Sequence, residues 1–342
     1  MLPESPYQQL LHSALEERGA RIALNAPLRA SWAIRLGGQI DVVHLHWLEY
    51  LVGSNDRETL KPARMIVRGL RLLATLALLR ARGVRVVWTV HNLTPHDALL
   101  PKLDLALARA CARLSNRLVV HSRYAASSVA LAYGARDAIV AYHGNFVDYY
   151  PAAAATREQV RSRLGIPVDA HVFLAFGQVR AYKRLPELVQ AVRGLPRDDV
   201  RLLVAGRPIP AAAGEAIAAA ADGDPRIVLR LEHIADGEVA ALHEASDVAV
   251  MPNREVFSSG ALLLALSLGV PVIARTPSTA GELAPPPAVQ PYGPGALSEA
   301  LLASMELDRA TTRAAALRAA ADYPWDRTAR AVLEAYGVTG RP

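Results

Sequence analysis

The chain predicts an α/β protein built from two consecutive doubly wound domains. Three observations point there. Short β-rich runs alternate with longer helical runs along the whole sequence, the pattern of parallel sheets covered by helices on both faces. The rhythm occurs twice and is interrupted near Asp148–Thr156 by Tyr-Tyr-Pro and an alanine run. A length of 342 residues also exceeds a typical single core, while 52% apolar and 20% charged content lets each half bury one.

The first half opens on a helix, Tyr7–Arg18, directly after Met1-Leu-Pro-Glu-Ser-Pro. A doubly wound domain usually opens with a strand, so the first strand is absent or reduced, or the true start lies upstream. Strands are expected at Ile22–Leu24, Asp41–Leu45, Val84–Val90, Arg117–Val120 and Ala138–Tyr142, with helices Ala63–Arg82, Pro101–Leu114 and Ala125–Tyr133 between them. In the second half, strands are expected at His171–Phe176, Arg201–Ala205, Ile227–Leu231, Asp247–Met251 and Val270–Ala274. The helices there fall near Pro186–Val192, Ala211–Ala220, Asp236–Ala245, Ser259–Leu268 and Gly295–Met305. The domain limits read as 1–148 and 149–322, with 323–342 a C-terminal segment. Open parallel sheets bind ligands beyond the carboxyl ends of their strands, so the site is expected in a cleft between the two domains.

Composition narrows the function. The single cysteine, Cys111, excludes an intramolecular disulfide framework and a cysteine-built zinc site, and fits a reducing compartment. No N-terminal signal peptide or membrane-spanning window is visible, so a cytoplasmic location is expected. The net charge of +6 is uneven: residues 1–148 hold 18 Lys/Arg against 11 Asp/Glu, and the remainder is close to neutral. A basic first half suits an anionic surface or substrate. Nucleic acid is not the expected partner, because no nucleic-acid motif accompanies the charge and aromatic residues are only 6%.

The segment Phe176-Gly-Gln-Val-Arg-Ala-Tyr-Lys183 carries the most chemistry. It places Gly177, Arg180 and Lys183 at a strand-to-helix turn, where backbone N–H groups and the helix dipole converge on an anion. Arginine grips phosphate oxygens bidentately and lysine adds a point charge. A second turn of this kind is expected where Ser258, Ser259 and Gly260 start the Ser259–Leu268 helix, the serine capping it and the glycine allowing close approach. Two anion-suited turns in one domain fit a diphosphate. Neither has P-loop or Gly-x-Gly-x-x-Gly spacing.

In the first half, strand ends carry histidines. Asp41-Val-Val-His-Leu-His-Trp ends in His44, His46 and Trp47, and Val86-Val-Trp-Thr-Val-His-Asn ends in His91 and Asn92, with His96 beyond. His44 is expected to face away from His46 and cap its strand. No carboxylate or cysteine set accompanies the His-x-His pair, so no metal is expected. His91 at a strand tip suits a sugar hydroxyl or the charge developing at a reacting carbon.

Together these residues resemble the GT-B glycosyltransferases, in particular bacterial enzymes similar to glycosyltransferase family 4. The resemblance covers almost the whole chain. It implies two Rossmann-like domains facing a cleft, the first taking the acceptor and the second the nucleotide-sugar donor. It implies that Gly177, Arg180 and Lys183 hold the donor diphosphate, with Ser259 and Gly260 at the donor-binding helix and His91 near the reacting sugar. His143 and Gly144, in Val140-Ala-Tyr-His-Gly-Asn, resemble the crossing segment near the cleft, with Trp47 and Asn92 beside the acceptor. Tyr323-Pro-Trp325-Asp326 resembles the helix that folds back toward the first domain. Many family 4 members carry two glutamates eight positions apart, one near the sugar and one on the ribose; here those positions hold Val256 and Leu264, and Glu255, one residue from the first, is expected to replace it in part as a donor-binding residue.

The expected function is therefore metal-independent transfer of a hexose from a nucleotide diphosphate sugar, GDP-mannose or UDP-glucose, to a glycan or lipid-linked acceptor. The resemblance implies retention of configuration; inversion would require a base among His46, His91, His96 and Asp97. No cofactor is expected beyond the donor itself. The basic run Ala63–Arg82 admits an anionic membrane surface as a further partner, the competing reading being a core helix with a solvated basic face. The second functional reading is a catalytically inactive homologue that binds a sugar or nucleotide.

Overall fold

The computed structural model describes residues 5–23, 28, 39–53, 62–95, 100–134, 138–253, 257 and 260–338. The chain forms two compact units, one of residues 1–144 and 325–342 and the other of residues 145–324. Each has its own parallel sheet.

The first unit has a four-stranded sheet of β1 (Val42–Leu45), β2 (Arg85–Thr89), β3 (Arg117–Val120) and β4 (Ala138–Val140), in sequence order and all parallel. Among the described residues Ile22 and Ala23 form no strand, and Leu24 lies outside them. The unit instead begins with the helix Pro6–Glu16, started by a reciprocal capping box between Ser5 and Gln8. That helix and the last one, Trp325–Ala335, cover one face. Tyr7, Leu11 and Leu15 pack with Val87, Val119, Ala329 and Val332, an apolar stripe at helical spacing laid on alternate residues of two strands.

The helix Pro62–Ala81 buries Met65, Gly69, Leu72, Leu76 and Leu79. Its outward face carries exposed Arg64, Arg68, Arg71 and Arg80, as a solvated basic face requires, and it carries apolar residues as well. Ile66, Val67 and Leu70 stand there at 43%, 45% and 59% exposure, bordered by Arg64 and Arg71.

The second unit has six parallel strands: β5 (His171–Phe176), β6 (Val200–Ala205), β7 (Ile227–Arg230), β8 (Val248–Met251), β9 (Val272–Arg275) and β10 (Val289–Tyr292). Their order is β10-β9-β8-β5-β6-β7, so the direction of winding reverses between β5 and β8. The expected set of five strands omitted β10, whose Pro291 obscures it. An edge strand tolerates proline because it needs no donor on its open side.

The amino ends of these strands are tied by buried Arg161. Its guanidinium donates to the carbonyls of Val168, Ala170 and Ala245 and to Asp247 Oδ2 at 2.6–2.9 Å. The same Asp247 oxygen accepts from the Val172 N–H at 2.8 Å, and its other oxygen pairs with Arg157.

The unit limits differ from the expected 148/149 and 322/323 boundaries. Asn145 belongs with the second unit: its N–H donates to Tyr323 O at 2.8 Å and its side chain to Ala320 O at 2.9 Å. The next residue, Phe146, donates its N–H to Ser267 Oγ at 2.9 Å. Tyr323 in turn donates its hydroxyl to Leu283 O at 2.8 Å. The C-terminal segment that joins the first unit therefore starts at Trp325.

Candidate active site

Each strand of the first unit is followed within three residues by a histidine: His46 after β1, His91 after β2, His121 after β3 and His143 after β4. Because the strands are parallel, all four lie at one edge of the sheet. Tyr7 stands at their centre, its ring 5.0–5.7 Å from each of the four imidazoles. His121 was not among the expected site residues. The signal for it was the repeat itself, an apolar strand followed by a histidine.

His46 Nδ1 and His91 Nε2 share a hydrogen bond of 3.1 Å. Trp47 stacks on His91 with ring centroids 4.4 Å apart and planes 12° from parallel. The Trp88 indole N–H donates to the His46 carbonyl at 3.0 Å, fixing the backbone below the pair. His46, Trp47, His91 and Asn92 line a cavity of about 30 Å³ together with Glu49 and Asp104.

His44 does not turn away from His46. Residues two apart on a strand share a face, and the two rings lie 4.3 Å apart. His44 is held from both sides, by Tyr336 Oη at 2.8 Å and Thr89 Oγ1 at 2.7 Å.

His121 donates Nδ1–H to Ala141 O at 2.7 Å and His143 donates Nδ1–H to Gly144 O at 2.6 Å, so in both neutral rings Nε2 is the nitrogen without the proton. His121 Nε2 has no hydrogen-bond partner among the described residues. Gly144 serves packing as well as chain crossing: a Cβ there would lie 2.2 Å from the Trp325 ring.

Burial, with neighbouring imidazoles adding to it for all but His121, lowers the pKa of every one of these histidines. It falls to about 3 for His44 and His143 and about 4 for His121, and lies well below the ordinary value for His46 and His91. His44 and His46 keep some exposed surface, yet their rings are enclosed. The cluster is therefore uncharged at neutral pH. Among the described residues no three His, Cys, Asp or Glu side chains are placed to hold a metal ion.

In the second unit, Gly177 follows β5 with φ of +94°, the left-handed side that glycine adopts without strain. The Lys183 ammonium curls back over this turn and donates to Phe176 O at 3.3 Å. Although the residue as a whole is half-buried, its ammonium is enclosed. Burial, with Arg180 nearby, lowers its pKa to about 8. Arg180 Nε donates to Gln178 Oε1 at 3.0 Å. Arg184 takes a left-handed conformation at φ +53° between the short 3₁₀ turn Ala181–Lys183 and the helix Leu185–Arg193, and it pairs with Glu187.

The turn after β6 lies against this one. Val179 N–H donates to Arg207 O at 2.9 Å, and Ile209 N–H returns to Val179 O at 2.8 Å. Arg207 is exposed beside the expected anion turn, a cation that the sequence reading passed over.

Gly260 begins the helix Gly260–Ser267, and Leu264 within it is buried at 5% exposure. An apolar core residue thus occupies the position of the family's second glutamate. His96, Asp97, Glu255, Val256, Ser258 and Ser259 lie outside the described residues.

The structure thus brings His46, Trp47, His91, Asn92, His143 and Gly144 together in the first unit, and Gly177, Arg180 and Lys183 together in the second. Gly260 lies at the carboxyl end of β8, the sheet neighbour of β5. A family model described as glycosyl transferases group 1 matches residues 170–305. A GDP-mannose:glycolipid 4-beta-D-mannosyltransferase from Xanthomonas campestris pv. campestris is 30% identical over 279 residues, covering 79% of this chain and 69% of that protein. The chain belongs to the group 1 glycosyltransferases.

Other members are similar over more of the sequence. A D-inositol 3-phosphate glycosyltransferase from Xylanimonas cellulosilytica is 29% identical over 98% of this chain and 80% of its own. Among solved structures, Anabaena HepE in complex with UDP and glucose superposes with a TM-score of 0.68 at 17% identity, covering 90% of this chain and 81% of that one. Sucrose-phosphate synthase from Thermosynechococcus elongatus gives 0.68 at 17% over 98% and 80%. At that identity the likeness establishes the fold, the two parallel-sheet units of GT-B glycosyltransferases.

Proposed function

We propose that this glycosyltransferase moves a mannosyl residue from GDP-mannose to a lipid-linked sugar. The observation that carries the donor half is the Gly177–Lys183 turn, where a left-handed glycine, Arg180 and an enclosed ammonium lie within one strand-to-helix turn. The choice of GDP-mannose over UDP-glucose, and of a glycolipid acceptor, is supported by the 30% identical Xanthomonas relative.

In the proposed reaction the acceptor hydroxyl attacks the anomeric carbon. The bond from that carbon to the diphosphate oxygen breaks, and its electron pair leaves on the diphosphate. Arg180 and Lys183 stabilise that charge without a metal. The relative forms a β-mannoside, and GDP-mannose is an α-linked donor, so the reading takes inversion in place of the retention that the resemblance implied. Inversion needs a base, and the His46–His91 pair supplies it. The two imidazoles share one hydrogen bond and are both uncharged, the state in which an imidazole can accept a proton.

The enzyme would meet its acceptor at an anionic bilayer. Supporting this are the outward Ile66, Val67 and Leu70, exposed Tyr50 on the adjoining helix Leu48–Val52, and a run from Lys61 to Arg85 that contains no acidic residue. Among the described residues no helix is long and apolar enough to cross a membrane. Pelleting with anionic but not neutral vesicles at low salt, lost when Ile66, Val67 and Leu70 become serine, is the expected result. Equal recovery with both vesicle types refutes surface attachment.

The test of the reaction offers GDP-mannose or UDP-glucose with octyl glucoside and octyl mannoside as lipid-like acceptors. Released nucleoside diphosphate is quantified and the product anomer read by NMR. GDP release with a β-mannoside is expected. Turnover of UDP-glucose alone, or an α-product, overturns the donor or the stereochemistry. A rise in melting temperature with GDP and no turnover of either donor identifies a binding protein.

A further inference from the structure

We propose that Arg207 is a further donor-binding residue, gripping the donor diphosphate from the β6 side of the Gly177–Lys183 turn. This role rests on the assignment of that turn to the diphosphate.

The backbone of Arg207 is fixed by the turn itself. The Gly177 N–H donates to Ala205 O at 3.0 Å, the Val179 N–H to Arg207 O at 2.9 Å and the Ile209 N–H to Val179 O at 2.8 Å. Gly206, the residue before Arg207, packs against the Gly177 carbonyl with no room for a side chain. Pro208, the residue after it, forms a parallel bridge with Val179 and holds Arg207 in extended backbone. Arg207 is thus tied on both sides to the strand-to-helix turn, and its backbone needs no ordering when an anion arrives.

Its side chain differs from the cations around it. Arg180 Nε donates to Gln178 Oε1, Lys183 donates to Phe176 O, and Arg184 pairs with Glu187. Arg207 is exposed, and its side chain makes no hydrogen bond or ion pair with any described residue. The two loops, residues 177–184 and 206–210, contain no acidic residue. The carboxylates beyond the next strand along the sheet, Glu232 and Glu238 after β7, are both paired with Arg230. Arg180, Lys183 and Arg207 therefore form a local excess of positive charge, which an anion of two phosphates relieves. The Lys183 ammonium is a single enclosed point charge, whereas the Arg207 guanidinium has its whole fork open to phosphate oxygens.

The test is calorimetric titration with GDP and with guanosine, beside a melting curve, for the wild type, Arg207→Ala, Arg207→Lys and Arg180→Ala. Arg207→Ala is expected to bind GDP about tenfold more weakly and guanosine as the wild type does. Arg207→Lys keeps a charge without the fork and should lose about threefold. Both Arg207 variants should melt with the wild type, because the side chain is exposed. Full GDP affinity in Arg207→Ala, with a loss in Arg180→Ala, overturns the role of Arg207 and leaves the assignment of the turn standing. Equal losses for GDP and guanosine in Arg207→Ala also overturn it, since the diphosphate is then not what Arg207 holds. A wild type that binds no GDP, or two alanine variants that both bind it fully, removes the assignment of the turn itself.

Discussion

Gly206 and Gly177 are packed backbone to backbone. A Cβ on Gly206 would lie 2.2 Å from the Gly177 carbonyl oxygen, and Gly206 itself has φ of +151°. The turn that follows β6 thereby sets the shape of the anion turn that follows β5. Gly206→Ala should cost about 1–3 kcal/mol through overpacking and weaken GDP binding disproportionately. Calorimetric titration with GDP beside a melting curve checks this; full affinity in a destabilised protein would show that the two turns are uncoupled.

Lys183 is the cation most exposed to test. Lys183→Ala should lower product formation by about a hundredfold at saturating acceptor. Activity within about threefold of wild type would remove its diphosphate role. Because its pKa is lowered to about 8, its charge is lost as pH rises through that value. GDP affinity should therefore decline between pH 7 and 9 in the wild type, and much less in Lys183→Arg, whose guanidinium keeps its charge.

The histidine cluster should make the first unit sensitive to acid. In the unfolded chain histidine binds a proton near pH 6.5, whereas the folded imidazoles of His44, His121 and His143 wait until about 3 or 4. Between those limits the unfolded state holds more protons, so stability falls as pH drops. Each such group contributes about 1.4 kcal/mol per pH unit. Melting temperatures at pH 7, 5.5 and 4.5 should fall steeply, and replacing His121 by Asn should flatten the slope.

Asp247 joins Arg157, Arg161, Arg309 and a strand N–H at the opposite end of the second sheet from the anion turn. Asp247→Asn leaves buried Arg161 without its counter-charge and should cost about 3–5 kcal/mol. Since the network is remote from Lys183, the GDP affinity of the folded fraction should stay near wild type. A specific loss of affinity would show coupling across the sheet.

Much of this arrangement is legible in the sequence where local chemistry dictates it. Four of the expected first-half strands and all five of the second are present, because alternating βα runs leave few other ways to bury their apolar residues. Gly177, Arg180 and Lys183 could be placed because a strand, a glycine and two cations occur within eight residues. What stayed hidden depends on contacts between distant segments. Tyr7 reads as an ordinary apolar helix residue until parallel strands bring four histidines around it. The opposing placement of His44 failed on strand periodicity, and β10 was masked by its own Pro291. The role of Gly144 requires knowing that Trp325, far along the chain, occupies the space beside it.

That last contact has a consequence for biosynthesis. The helix Trp325–Ala335 lies on the Pro6–Glu16 helix and against β3 and β4, with Ala329 and Val332 in one core with Leu11 and Val119. A nascent chain emerging from the ribosome has completed every strand of the first sheet long before those residues exist. The early half must wait with that face uncovered while the 180 residues of the other unit are translated and fold. Aggregation of fragments cut short before residue 325 is the expected sign of that delay.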